Sequence, residues 1–102
     1  MLKYLRANMH PEAQPIAGAV RESHKELFKE DERISFGMNW IRSRGGKQRP
    51  PTIWHNGATG GFCSFLGFTT DGRFGVLVLS NTSADVDPIG VGILRELAKP
   101  KP

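Results

Sequence analysis

At 102 residues, 38% of them hydrophobic and 24% charged, the chain has the size of one globular domain, residues 1–102, able to bury over ~60% of its unfolded surface. Its net charge of +4 raises nucleic acid as a partner, but the only basic cluster, Arg42, Arg44, Lys47 and Arg49, lacks interleaved aromatics and reads as a solvated loop. No run approaches the ~18 apolar residues of a membrane span, so neither nucleic acid nor membrane is an expected partner.

Taken in order, residues 1–9 place Leu2, Leu5 and Met9 at helical spacing, and His10-Pro11 ends that helix. A second helix is predicted from about residue 15 to about 29, with Ile16, Val20, Leu27 and Phe28 as its apolar stripe and His24 at the stripe's rim. Residues 33–42 alternate with period two through Ile34, Phe36, Met38 and Trp40, which predicts a strand. Residues 43–51, with two glycines and two prolines, read as an exposed loop.

Residues 52–81 hold half of the twelve glycines, the longest apolar segments, Cys63 and His55. A short strand over 52–56, a glycine-rich turn over 57–61 and a returning strand over 62–69 are expected. Asp71-Gly72 marks a hairpin turn. The continuously apolar 74–79 segment reads as a strand covered on both faces. Asp87-Pro88 then starts a closing helix, whose Ile89, Ile93 and Leu97, with Leu94 beside them, are expected to lie across the sheet. The fold class read from this order is α+β: an antiparallel meander of three to four strands, with N-terminal helices and a C-terminal helix packed on it.

Two chemical readings start from the turn over 57–61. If it centres on Thr59, His55 lies opposite Cys63, which makes a possible Cys–His dyad; a one-residue slip pairs His55 with Ser64 or Phe62 instead. A plain glycine-rich hairpin, with a small buried cysteine and a hydrogen-bonded histidine, has the same local features. One cysteine excludes an internal disulfide framework and a cysteine zinc site, and His10, His24 and His55 share no metal-ligand spacing. No metal or cofactor is expected.

The ordered set WHNGATGGFCSFLGFTTDGRFGVLVLSNTS, followed by a helix containing VDPIG, resembles the C-terminal end of the penicillin-recognising serine hydrolases: class C β-lactamases, D,D-peptidases and related esterases. The resemblance runs from Met1 to about Leu97. It implies a partial β-lactamase-like α/β domain in which His55-Asn56-Gly57 stands at the family's K-T-G or H-x-G position, on the strand that walls the substrate cleft. His55, Asn56 and Gly57 are then substrate-binding positions, and Ala58 is the candidate donor of one oxyanion-hole N–H, a contribution of roughly 3 kcal/mol to transition-state stabilisation. Histidine in place of lysine makes the charge there depend on pH near neutrality.

Departures from the pattern carry equal weight. The family's nucleophile is the serine of S-x-x-K, and no serine of this chain has lysine three positions later: Ser23, Ser35, Ser43, Ser64, Ser80 and Ser83 lead to Glu26, Met38, Gly46, Gly67, Ser83 and Val86. The Y-x-N motif is absent too, since Tyr4 leads to Arg6. The expectation is a C-terminal portion of a hydrolase acting on β-lactam, peptide or ester bonds, inactive alone, with the helical domain and nucleophile region missing. Two alternatives stand beside it: a non-catalytic, self-associating domain, and a small hydrolase using His55 with Cys63 or a serine. A homo-oligomer is expected in any case, because strands that a larger fold would cover leave an apolar edge. The compartment stays undetermined; the family is often periplasmic or secreted, and this N-terminus shows no signal-peptide core.

Overall fold

The computed structural model describes residues 1–46 and 49–99. It is an α+β fold built on one six-stranded antiparallel sheet, in which every strand pairs with its neighbours in sequence. The strands are β1 (Phe28–Lys29), β2 (Ile34–Phe36), β3 (Ile41–Ser43), β4 (Thr52–Thr59), β5 (Phe62–Thr69) and β6 (Gly75–Ser80). Helix α1 (Leu2–Met9) covers one face; α2 (Ala17–His24), joined to it through a 3-10 turn at Pro11–Ala13, reaches that face through His24, beside Trp40 and Phe68; α3 (Asp87–Leu97) covers the other. The class agrees with the sequence reading; the strand count is six rather than three to four.

The extra strands come from two segments whose local pattern was overridden. The helix expected to reach residue 29 stops at His24: Lys25 is extended, and the Leu27 N–H donates to the Phe36 carbonyl oxygen at 2.7 Å. Leu27 and Phe28 are exposed rather than on a helical stripe, Phe28 lying opposite Phe36 in β1. The Asp31 carboxylate fixes the turn by accepting from the Arg33 and Ile34 N–H groups at 2.7 and 2.8 Å, the Asx geometry that short polar side chains favour. Likewise, the single strand expected over 33–42 is a hairpin. The Gly37 N–H donates to the Trp40 carbonyl oxygen across Met38-Asn39, and Asn39 takes φ +64°, a conformation asparagine tolerates better than most residues. Met38 is therefore 61% exposed while Trp40, beyond the turn, is 6% exposed.

Two cores result. Leu5, Trp40, Ile53, Leu66 and Phe68, with Met9 and Leu77, fill the space under α1 and α2. Phe65, Val86 and Leu94, with Trp54, Cys63, Phe74, Val76 and Val78, fill the space under α3. The two-sided cover expected for the apolar strand is present, since β6 gives Leu77 to one core and Val76 and Val78 to the other. Of the stripe expected on α3, however, only Leu94 packs on the sheet. Ile89, Ile93 and Leu97 are exposed, and the helix buries Gly90 and Leu94. The cause is steric: a Cβ on Gly90 would stand 2.1 Å from Cδ1 of the fully buried Phe65. Only the glycine side of the helix comes close enough to seal that ring.

Candidate functional site

Strand β4 runs to Thr59, and the turn to β5 is Gly60-Gly61, with Gly61 at φ +81°. The register follows from that two-residue loop: Thr59 lies opposite Phe62, Ala58 opposite Cys63, Gly57 opposite Ser64, Asn56 opposite Phe65 and His55 opposite Leu66. The expected turn centre at Thr59 is thus displaced, and neither the His55–Cys63 pairing nor its one-residue slips form. Glycine at both turn positions closes the hairpin at its tightest and lets Ala58 and Thr59 continue the strand. Alternation then puts Cys63 on the α3 face, packed against that core, and His55 on the α1 face.

The edge of β4 is half open. Its pairing with β3 ends at Trp54, opposite Ile41, while its pairing with β5 continues to Thr59. Backbone direction alternates along a strand, and the hydrogen bond from the Thr69 N–H to the Phe74 carbonyl oxygen turns Thr69 toward β6. Phe62, Ser64, Leu66 and Phe68 consequently face β4, and their partners Thr59, Gly57, His55 and Ile53 face back. The N–H and C=O groups of Asn56 and Ala58 therefore point out from the sheet, past the end of β3. Ala58 is exposed there. It presents an N–H with no strand partner among the described residues.

His55 leans over a groove of about 550 Å³ between the sheet and the two N-terminal helices, where Tyr4, Val20, Trp40, Ser64 and Leu66 also contribute walls. Ser64 shares the histidine's face at a diagonal position. Gly57 lies directly opposite Ser64, where a Cβ would be 3.0 Å from its Oγ; glycine keeps this hydroxyl open to the groove. The Asn56 side chain goes the other way. Its Nδ2 donates to Asp87 Oδ2 at 2.6 Å and ties β4 to the first turn of α3. Burial is the main influence on Asp87 and raises its pKa, against the lowering effect of the Asn56 hydrogen bond; its other oxygen has no hydrogen-bond partner among the described residues. Of the three H-N-G positions, His55 and Asn56 line the groove, the Asn56 side chain being tied to Asp87, and Gly57 lies beyond it, opposite Ser64.

The groove's inner wall contains a polar link that the sequence reading left out. Asn8, 7% exposed, donates from Nδ2 to the Tyr4 carbonyl oxygen at 2.9 Å, which leaves its Oδ1 to accept from His24 Nε2 at 2.9 Å. His24 lies edge-on to Trp40, ring centroids 5.4 Å apart, and 5.3 Å from Phe68. Its backbone oxygen accepts from the Arg42 guanidinium. Burial first, and the Arg42 charge second, hold the His24 pKa below its ordinary 6.5, so the ring is neutral and carries its proton on Nε2. The one available signal was Asn8 itself, a polar residue three positions after Leu5 on the buried stripe.

The basic cluster is partly consumed within the fold: Arg42 serves His24, and Arg44 Nη2 pairs with Glu26 Oε1 at 2.8 Å. Lys47 lies outside the described residues. Among the described residues no three His, Cys, Asp or Glu side chains converge as metal ligands. Compared with models of known protein families and with curated proteins, the chain matches none of them.

Proposed function

We propose that this chain is the sheet-side wall of an acyl-transfer site of the serine β-lactamase, D,D-peptidase and esterase kind, inactive alone and completed by a separate nucleophile-bearing part. The observation that carries the reading is the open upper edge of β4: Ala58 turns outward an N–H that no described residue pairs with, three positions along the strand from His55, which lines the groove. An outward backbone donor of this kind stabilises an oxyanion without reorganising during the reaction. His55 adds a hydrogen-bonding side chain over the groove, suited to a substrate carboxylate or to a proton in transit. The substrate is a β-lactam, peptide or ester.

A second reading rests on Ser64. The observed register replaces Cys63 with Ser64 as the nucleophile-type side chain on the histidine's face, and Gly57 leaves its hydroxyl open. A small hydrolase using His55 with Ser64 is the alternative this favours.

Incubating the chain with a chromogenic cephalosporin and with p-nitrophenyl butyrate separates the two. The first reading expects no turnover above the solvent rate, and expects the genomic reading frame around this sequence to encode S-x-x-K and Y-x-N. A frame without those motifs would overturn it. Ester turnover abolished by both His55→Ala and Ser64→Ala would establish the second.

A further inference from the structure

The two edges of the sheet are finished differently. At one end β1 has two residues, one of them Lys29, whose ammonium pairs with Glu32 at 3.7 Å. A short, charged edge resists further pairing. At the other end β6 is six residues long, GVLVLS, with no charge and no proline. The hydrogen bond from the Thr69 N–H to the Phe74 carbonyl oxygen makes Phe74, Val76, Val78 and Ser80 the residues facing β5. Gly75, Leu77 and Leu79 turn their N–H and C=O groups outward, and no described residue pairs with them.

Apolar side chains extend this edge on both faces. On α3, Val91 and Arg95 line a small cleft toward Thr52 and Pro50, on the β4 side. With Gly90 and Leu94 on the sheet, the opposite flank, carrying Ile89 and Ile93, faces beyond β6; these two are 53% and 39% exposed. On α1, Tyr4 and Asn8 face the groove, and Leu2, 69% exposed, lies on the flank turned away from it. Leu79, 64% exposed, completes the strip.

We infer that β6 is a self-association edge: two copies pair β6 against β6 in antiparallel fashion across a two-fold axis, giving a continuous twelve-stranded sheet. Centred on Leu77, the register sets Leu77 opposite Leu77 and Gly75 opposite Leu79, so every outward backbone group of the strand is paired. The same axis brings α3 beside α3 through Ile89 and Ile93, and α1 beside α1 near Leu2. The helices then run antiparallel, with the Lys99 end of one near the Asp85 end of the other. A six-residue strand is ~20 Å long, and the shortest extent of the molecule is 28 Å. Their product gives on the order of 1,000 Å² buried over both copies, at the lower end of specific interfaces and fitting a reversible rather than an obligate dimer. This inference is independent of the hydrolase reading, because β6 takes no part in the groove beyond Leu77.

Sedimentation velocity over a concentration series tests it, together with hydrogen exchange at low and high concentration. The expected mass rises from one chain of 11.3 kDa to two at micromolar concentration. The Leu77 and Leu79 amides are expected to exchange fast when dilute and to gain at least tenfold protection in the dimer. Leu79→Lys and Ile93→Lys, both at exposed positions, should weaken dimerisation at least tenfold, whereas Ile16→Lys, at the exposed residue that precedes α2 on the groove side, away from β6, should leave it unchanged. A single-chain mass at all concentrations would overturn the inference. So would a dimer whose Leu77 and Leu79 amides stay unprotected, or protection already complete in the monomer, the sign that a segment of the same chain covers the edge. The exchange measurement decides the matter on the unmodified chain should a variant fail to fold.

Discussion

The two faces of the sheet are closed by opposite means. Under α3 the contact is tight: Phe65 is 0% exposed, Leu94 2% and Val86 5%, and a glycine brings the helix backbone against the Phe65 ring. Under α1 and α2 the cover is partial. The helices reach Leu66, Phe68 and Trp40, then leave a groove above His55 and Ser64 and meet each other through the Asn8–His24 hydrogen bond. The α3 face offers only a small cleft beside Val91 and Arg95, whereas the other face offers an open groove with a polar link in its wall. On the proposed reading stability falls to one side and chemistry to the other, and each assignment can be broken by substitution.

The largest effect is expected on the sealed face. Gly90→Ala drives a methyl group into Phe65 and should destabilise the fold by about 3 kcal/mol, the upper part of the usual range for overpacking, as measured by urea unfolding. On the same helix, Gly92→Ala meets nothing within 4 Å and should stabilise by about 0.5–1 kcal/mol, through helix propensity alone. Equal effects at the two glycines would contradict a close-contact role for Gly90.

That pair also marks where the sequence was readable. The α+β class, the first helix, the long hairpin, the Asp71-Gly72 turn and the closing helix were all legible from local patterns of apolar residues and turn chemistry. The face of α3 was not: three large residues, Ile89, Ile93 and Leu97, outvote one glycine in any periodicity reading, yet closeness of approach, not side-chain size, chose the buried side. The division of 33–42 into β2 and β3 was hidden because a Met38-Asn39 turn sits inside an alternating run, and β1 because pairing with β2 overrode the helical tendency of 25–29. At the site, the H-N-G motif was visible, but the cross-strand neighbours of its residues depended on a register. Placing the turn at Thr59 instead of Gly60-Gly61 exchanged the neighbours of His55.

The next effect tests the strut between β4 and α3. Asn56→Ala removes the donor that Asp87 Oδ2 uses and leaves a partly buried carboxylate with neither oxygen partnered by a described side chain. The expected loss is about 1–3 kcal/mol in chemical denaturation. A substrate-binding side chain at position 56 would instead be removable at little cost to stability.

On the groove face the expected signature is a pH dependence. Because the folded pKa of His24 lies below 6.5, mainly through burial and secondarily through Arg42, the unfolded chain takes up its proton first as pH falls. Stability is unaffected by this residue well above pH 6.5, declines as pH drops through 6.5, and levels off once the folded-state pKa has been passed. Denaturation midpoints measured between pH 7.5 and 5.5 should fall accordingly, and His24→Gln, which can still donate to Asn8, should flatten the decline. The same decline in His24→Gln would place its origin elsewhere.

The smallest stability effect belongs to the residue with the largest functional claim. His55 is exposed and makes no side-chain hydrogen bond to a described residue, its opposite neighbour Leu66 is held by the core without it, and surface substitutions of this kind usually change stability by less than about 0.5 kcal/mol. His55→Ala should therefore shift the melting temperature by no more than about 2–4 °C. A residue retained for packing costs stability when truncated; a residue placed over a groove to meet something else does not. If His55→Ala instead destabilised the fold by more than about 1 kcal/mol, the histidine would belong to the α1 face as a structural member, and the division of labour between the two faces would lose its chemical half.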